Sequence, residues 1–355
     1  MTTPDDLGRL AAELRSEARP GLTFMEVCGT HTMAIARFGL RELLPDGMRL
    51  VSGPGCPVCV TAMADLDRLL AVARLPEVTL VTFGDLVRVP ASRGSLATAR
   101  AAGADVRVVY SPSDAVRMAA EEPARQVVFA GIGFETTAPT TAAALLEARA
   151  AGLTNFSLLS LHKTMPLSLR ALLDLGETAI GGFLLPGHVS VITGTACYEF
   201  LAAEYGIGGV AAGFEAADVL RALLMLARQR EPAIEIQYTR AVRPEGNVVA
   251  QRLLEQVFEP CDADWRGLGV IPGSGLALRR EFAEADAARR FPVDPGPSLE
   301  PPGCRCGEVL RGVTDPVECA LFGARCTPED PVGACMVSSE GACAARYRYR
   351  GFDDA

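Results

Sequence analysis

The sequence is poor in several residue types, and each shortage narrows what the chain can do. In 355 residues it holds one lysine (Lys163), one tryptophan and three histidines. Acidic residues outnumber basic ones, 43 to 34, for a formal charge of −9. Without a basic stripe, nucleic acid and anionic membrane surfaces are poor partners. No apolar run approaches the roughly 18 residues that a membrane helix needs. The N-terminus, Met-Thr-Thr-Pro-Asp-Asp, is acidic and has no signal-like apolar stretch. These absences lead us to expect a soluble, cytoplasmic protein. An apolar share of 49% against 22% charged residues excludes disorder and leaves room for two or three domains.

Cysteine is in excess. Eleven thiols without an export signal point to metal binding, redox chemistry or burial rather than to a disulfide framework. Six of them, Cys304, Cys306, Cys319, Cys326, Cys335 and Cys343, crowd into the 40 positions 304–343, where uniform scatter would place about one.

Short continuous apolar runs at 23–27, 48–51, 78–83 and 106–110 read as buried parallel strands, with helices at 62–73 and 95–102 between them. The pattern restarts with strands at 126–132, 156–161, 182–185 and 209–212 and helices at 140–150, 167–175 and 195–205. A long amphipathic helix at 216–230 ends this half. The reading is α/β: two consecutive parallel-sheet layer domains, 20–120 and 121–231, then a less regular cysteine-rich C-terminal domain over 232–355. That last unit contains a strand-like 233–238, a helix at 247–257 and a proline-rich linker at 291–303. Helix 5–18 has no sheet of its own and is expected to join the third unit.

Ligands of open α/β sheets bind beyond the carboxyl ends of the strands, and the unusual residues gather there. Cys28 and His31 follow the first strand, and Cys56 and Cys59 the second, in Gly-Pro-Gly-Cys-Pro-Val-Cys. Glu135 follows a later strand in Gly-Ile-Gly-Phe-Glu-Thr-Thr; His162, Lys163 and His188 end two more. One histidine at such a place reads as a structural hydrogen-bonder; three of three favour a lined crevice. The Cys56/Cys59 pair at a helix start chelates a metal or closes a small disulfide, and Gly and Pro are expected to keep its loop exposed. Two buried structural cysteines are the plainer alternative. If the first two strands pair, Cys28 joins them, a soft set that suits iron, zinc or copper.

Gly131-x-Gly133 gives a weak phosphate-loop signal, and Thr136 or Thr137 serves equally as a helix cap. In the tail, Cys319, Cys326, Cys335 and Cys343 lack the paired knuckles of structural zinc. Four spread thiolates suit a cubane iron–sulfur cluster, with zinc the alternative. Cys304 and Cys306 read as outer or structural, and Cys197 as a small core residue.

Six blocks carry a family resemblance: Met25-Glu-Val-Cys28-Gly-Thr-His31-Thr, Ser52-Gly-Pro-Gly-Cys56-Pro-Val-Cys59, Gly133-Phe-Glu-Thr-Thr-Ala-Pro139, Leu185-Pro-Gly-His188-Val-Ser, Trp265-Arg-Gly-Leu-Gly-Val-Ile-Pro272 and Cys335-Met-Val-Ser-Ser-Glu340-Gly-Ala-Cys343. Through them the chain, from about residue 20 to about 350, resembles the HypD family of hydrogenase maturation proteins. The resemblance implies a scaffold for the [NiFe]-hydrogenase iron, which carries two cyanides and one carbon monoxide. That scaffold works with the HypC chaperone, takes cyanide from HypE (charged by HypF), and passes the iron fragment to the large-subunit precursor. It also implies a [4Fe–4S] cluster in the C-terminal domain.

Carried over by motif, Cys28 would share iron with the chaperone's N-terminal cysteine, and Cys56 and Cys59 would form a redox-active dithiol. Cys319, Cys326, Cys335 and Cys343 would hold the cluster. His31 and His188 are expected to orient thiolates or protonate leaving groups, and Glu135 and Lys163 to position the cyanide-bearing partner. The expectation is an assembly scaffold rather than an enzyme acting alone. An iron–sulfur-dependent thiol–disulfide reductase and a zinc-stabilised nucleotide-binding protein are the competing readings.

Overall fold

The computed structural model describes residues 4–17, 19 and 21–349. Nine short strands form two parallel sheets. They are β1 (Thr23–Glu26), β2 (Arg49–Ser52), β3 (Val78–Thr82), β4 (Asp105–Val108), β5 (Gln126–Gly133), β6 (Phe156–His162), β7 (Gly182–Pro186), β8 (Gly208–Ala212) and β9 (Ile234–Ile236). Four of them, β1, β3, β7 and β8, are buried along their whole length, because helices cover both faces of each sheet; hence their unbroken apolar runs.

The sheets are not consecutive in the chain, and this corrects the expected domain plan. One sheet has the order β2-β1-β7-β8-β9, the other β4-β3-β5-β6. β1 pairs with β2 (Phe24↔Leu50) and, on its other edge, with β7 (Phe24↔Gly182). The chain therefore leaves the first sheet after β2, builds the whole second sheet, and returns. A boundary at 120 cuts the second sheet between β4 and β5, and one at 231 separates β8 from its partner β9 (Val210↔Glu235). Local pattern reveals a buried strand but not its neighbour, since every candidate neighbour is equally apolar.

Two further differences concern the ends of the chain. The first helix, Pro4–Glu17, packs on helix Ala216–Arg228 of the first sheet, with Leu10 and Leu14 in that sheet's core. Arg228 reaches Glu13 at 3.1 Å and Glu17 at 3.2 Å. It does not join the C-terminal unit, and position 18 of the expected helix lies outside the described residues. In that unit, β10 (Phe258–Trp265) and β11 (Gly269–Leu278) form an antiparallel hairpin that the sequence reading missed. The hairpin closes against the second sheet. Trp265 is fully buried, donates Nε1–H to Ser274 Oγ at 2.8 Å, and stacks on Phe134. Among the described residues no helix is long and apolar enough to cross a membrane.

Candidate functional site

The carboxyl ends of both sheets face a common cleft of about 540 Å³. Cys28, Gly55 and His188 line it from the first sheet; Phe83, Tyr110, Gly133, Phe134 and Thr137 line it from the second. Ser338 and Glu340 of the tail supply another wall.

Cys28 ends β1 and takes the N-cap position of helix Gly29–Arg37, where its side chain makes no capping hydrogen bond. Burial, then Glu340 and Glu26, push its thiol up to about 12. It rests as a neutral thiol in an acidic setting, which favours a bound cation as the agent that deprotonates it. Glu26 is itself fully buried, accepting from Thr32 Oγ1 at 2.6 Å and from Cys28 N at 3.1 Å. Burial raises its carboxyl to about 7. Glu340 accepts from Thr30 Oγ1 at 2.8 Å, and Ser338 Oγ donates to Asp85 Oδ2 at 3.3 Å.

The Gly53-Pro54-Gly55 turn lies flat against the end of β1. Gly29 N donates to Gly55 O at 2.9 Å, and a Cβ on Gly55 would stand 2.1 Å from Cys28 N. The turn therefore brings Cys56 next to Cys28 instead of keeping the pair exposed, as had been expected. Cys56 and Cys59 are joined as a disulfide, Cα atoms 5.2 Å apart, and both are buried. Cys56 caps helix Pro57–Val60 by accepting from Cys59 N at 3.2 Å. Because these two sulfurs bond each other, Cys28 offers the cleft a single thiol. Among the described residues no three His, Cys, Asp or Glu side chains are grouped closely enough to hold one metal ion.

The histidines divide. His31 is fully buried, and its Nε2 lies 3.0 Å from Gly213 O and 3.2 Å from Ala212 O. Burial lowers its pKa to about 4, so it is neutral and donates to these carbonyls. His162 is buried too, its ring between Ser160 and Thr141, with its pKa lowered to about 3 by burial. Only His188 opens to the cleft, its pKa lowered by partial burial.

Glu135 and Lys163 point elsewhere. Glu135 is buried and accepts from Met165 N at 3.1 Å, at the start of helix Met165–Leu175; burial raises its carboxyl to about 7. Lys163 donates to Asp65 Oδ2 at 3.3 Å and to Asp264 O at 2.9 Å, tying the hairpin to the second sheet. The phosphate-loop glycines make room for side chains. A Cβ on Gly131 would meet the His162 ring at 2.6 Å, and one on Gly133 would meet the Thr137 hydroxyl at 1.7 Å.

Beneath the cleft, helices Cys306–Leu310 and Ala334–Val337 pack on helix Pro57–Val60. All six tail thiols line one small apolar pocket there. Cys306 Sγ and Cys335 Sγ lie 2.6 Å apart, while Cys326 Sγ accepts from Val332 N at 3.3 Å. Cys304 is pushed up to about 12 by burial and by the neighbouring Cys306, Cys343 and Cys326.

A family model described as HypD, "Hydrogenase formation hypA family", matches residues 6–350. The chain belongs to the HypD family. It is 48% identical to the hydrogenase maturation factor HypD of Cupriavidus necator, covering 98% of this chain and 95% of that one. The HypD factor of Rhizobium leguminosarum is 49% identical over 98% of this chain and 93% of its own. That of Escherichia coli is 47% identical over 99% and 95%. HypD membership accounts for the blocks that line the cleft, which come from segments far apart in the chain. Glu26, Glu340 and Phe214 escaped the sequence reading of the site. Glu26 and Glu340 each lie inside one of the six blocks, near Cys28 and between Cys335 and Cys343, and nothing in the sequence pointed to Phe214.

Proposed function

We propose that this chain is the scaffold on which the Fe(CN)2CO group of [NiFe]-hydrogenase is assembled. It works with the HypC chaperone, receives cyanide from HypE after HypF has charged it, and releases the iron fragment to the large-subunit precursor. The carrying observation is the incomplete site: one buried thiol, Cys28, among acidic side chains in an open cleft. An ion bound there needs further ligands, and a partner thiol together with diatomic ligands completes the set. Soft thiolates suit low-spin iron with such ligands. The fragment is cargo rather than a resident cofactor, so a half-site that releases it is the fitting arrangement. The setting is the cytoplasm.

The six-thiol pocket fits an iron–sulfur cluster, since four cysteines converge there from loops without a closed zinc knuckle. Cys319, Cys326, Cys335 and Cys343 are the proposed ligands, with Cys304 and Cys306 lining the same pocket and Cys306 lying against Cys335. When bound, such a cluster supplies single electrons at low potential. The chain's own part is to hold two sulfur pairs, Cys306/Cys335 and Cys56/Cys59, on helices that touch. The Cys56/Cys59 bond, once reduced, gives two thiols at the end of the turn that packs against Cys28.

Those paired sulfurs also favour a second reading, an iron–sulfur-dependent thiol–disulfide reductase acting on a protein partner. Anaerobic co-purification with HypC decides between the two. The scaffold reading predicts infrared bands of iron-bound cyanide and carbon monoxide, and one iron beyond those of the cluster. Turnover of a protein disulfide without HypC or HypE, and no such bands, would establish the reductase.

A further inference from the structure

We propose that Phe214 is the positioning residue of His188, holding that ring at the cleft so that one ring nitrogen donates to a ligand on the iron at Cys28. The functional half of this rests on the scaffold reading. The structural half stands on a stack of three rings running from the core to the cleft. His31, sealed at 0% exposure, is tied by Nε2 to the carbonyls of Ala212 and Gly213, the two residues just before Phe214. Its ring leans on Phe214 with centroids 4.8 Å apart. His188 stacks on Phe214 more closely, with centroids 3.9 Å apart and planes 25° from parallel. Tyr238 meets the edge of Phe214 at 5.7 Å and keeps it from sliding.

Gly187 shows that the chain is shaped around this stack. A Cβ there would come 2.2 Å from Ala212 O, 3.1 Å from Tyr238 Cδ1 and 3.2 Å from Phe214 Cζ. Only glycine lets helix Gly187–Thr193 start close enough to lay His188 on the phenyl face. Among the described residues no hydrogen bond holds His188, so aromatic stacking orients it. One nitrogen is thereby left to donate to bound ligand. His31 is the fixed base of the stack and takes no part in the cleft.

With three histidines in the chain, ring-carbon labelling gives three assignable imidazole signals in the full-length protein without iron. The wild-type His188 ring proton is expected upfield, shielded by the phenyl face. Phe214→Leu moves it downfield to the position of an unstacked histidine, while Phe214→Tyr leaves it in place; His31 and His162 mark an intact core in both. A wild-type His188 proton without shielding overturns the proposal whatever the variants do, as does an unchanged signal in Phe214→Leu.

In the iron-loaded complex with HypC, Phe214→Leu and His188→Gln displace the cyanide bands alike, the double variant adds nothing, and Phe214→Tyr keeps wild-type positions. Bands that neither variant moves overturn the functional half. Absence of bands from the wild-type complex itself would instead overturn the scaffold reading, with the ring shielding still deciding the stack.

Discussion

At the cleft, Cys28 hangs from the end of β1, a strand paired on both edges, and the Cys56/Cys59 pair from the end of β2, the edge strand beside it. The six tail thiols hang instead from turns and from helices of seven residues or fewer. The cleft keeps its shape through sheet hydrogen bonds and a large apolar core, whether or not a ligand is present. The tail has a much smaller core of its own, Cys326, Met336 and Ala344 with a few partly buried neighbours, while Cys306 and Cys335 are built into the edge of the large core. Sulfur thus has two different duties: a reactive group on a rigid frame in one place, part of the frame in the other.

The sharpest way to break this comparison is to insert the same methyl group in both regions. Gly55→Ala puts a Cβ 2.1 Å from Cys28 N, and Gly341→Ala puts one 2.2 Å from Cys335 O. Backbone against backbone cannot yield at either place. Gly55→Ala is expected to lower global stability in denaturant titration by about 3 kcal/mol. Gly341→Ala should leave the sheets' transition in place and raise hydrogen exchange only over the tail. Equal global losses would erase the distinction.

Glu135 sharpens the picture on the sheet side. Its folded pKa, raised by burial to about 7 from 4.5, means that the folded state keeps a proton which the unfolded state gives up. The associated stability is complete below pH 4.5 and is lost as pH climbs through 7. Glu135→Gln removes this dependence and keeps an acceptor for Met165 N. Relative to wild type, the variant should gain up to about 3 kcal/mol across that window, read from denaturation at a series of pH values. A constant difference between the two proteins would contradict the assignment.

Removing tail sulfur should have a smaller effect. Cys326→Ser with Cys343→Ser is expected to cost about 1–2 kcal/mol locally, to abolish cluster absorption, and to open residues 319–349 to exchange. The strands of both sheets should stay protected.

Much of this was legible in the sequence, for identifiable reasons. Buried parallel strands write continuous apolar runs, so eight of the nine sheet strands lay within a few residues of their expected places, and β9 lay inside a longer expected strand. Cys28 and His188, expected at strand ends, both line the cleft, because a parallel sheet delivers its loops to one edge. Pairing was not legible, since β1 is bonded to β7 across more than 150 residues and nothing in either run names the other. The β10–β11 hairpin was missed because Pro260, Asp262 and Asp264 interrupt its apolar pattern.

Glu26 hid inside a strand, and Glu340 reaches Thr30 from 310 residues away. Lys163 drew attention by being the only lysine, but rarity is not a physical signal, and its ammonium holds a hairpin rather than facing the cleft.

The central claim is that Cys28 is the one thiol by which this chain holds the iron. Cys28→Ala, co-purified anaerobically with HypC, tests it most directly. Losing one sulfur there should cost only about 1 kcal/mol of stability and leave the cluster spectrum intact. The account predicts that the bands of iron-bound cyanide and carbon monoxide disappear together with the extra iron. A Cys28→Ala complex that still shows both bands at wild-type intensity would contradict it.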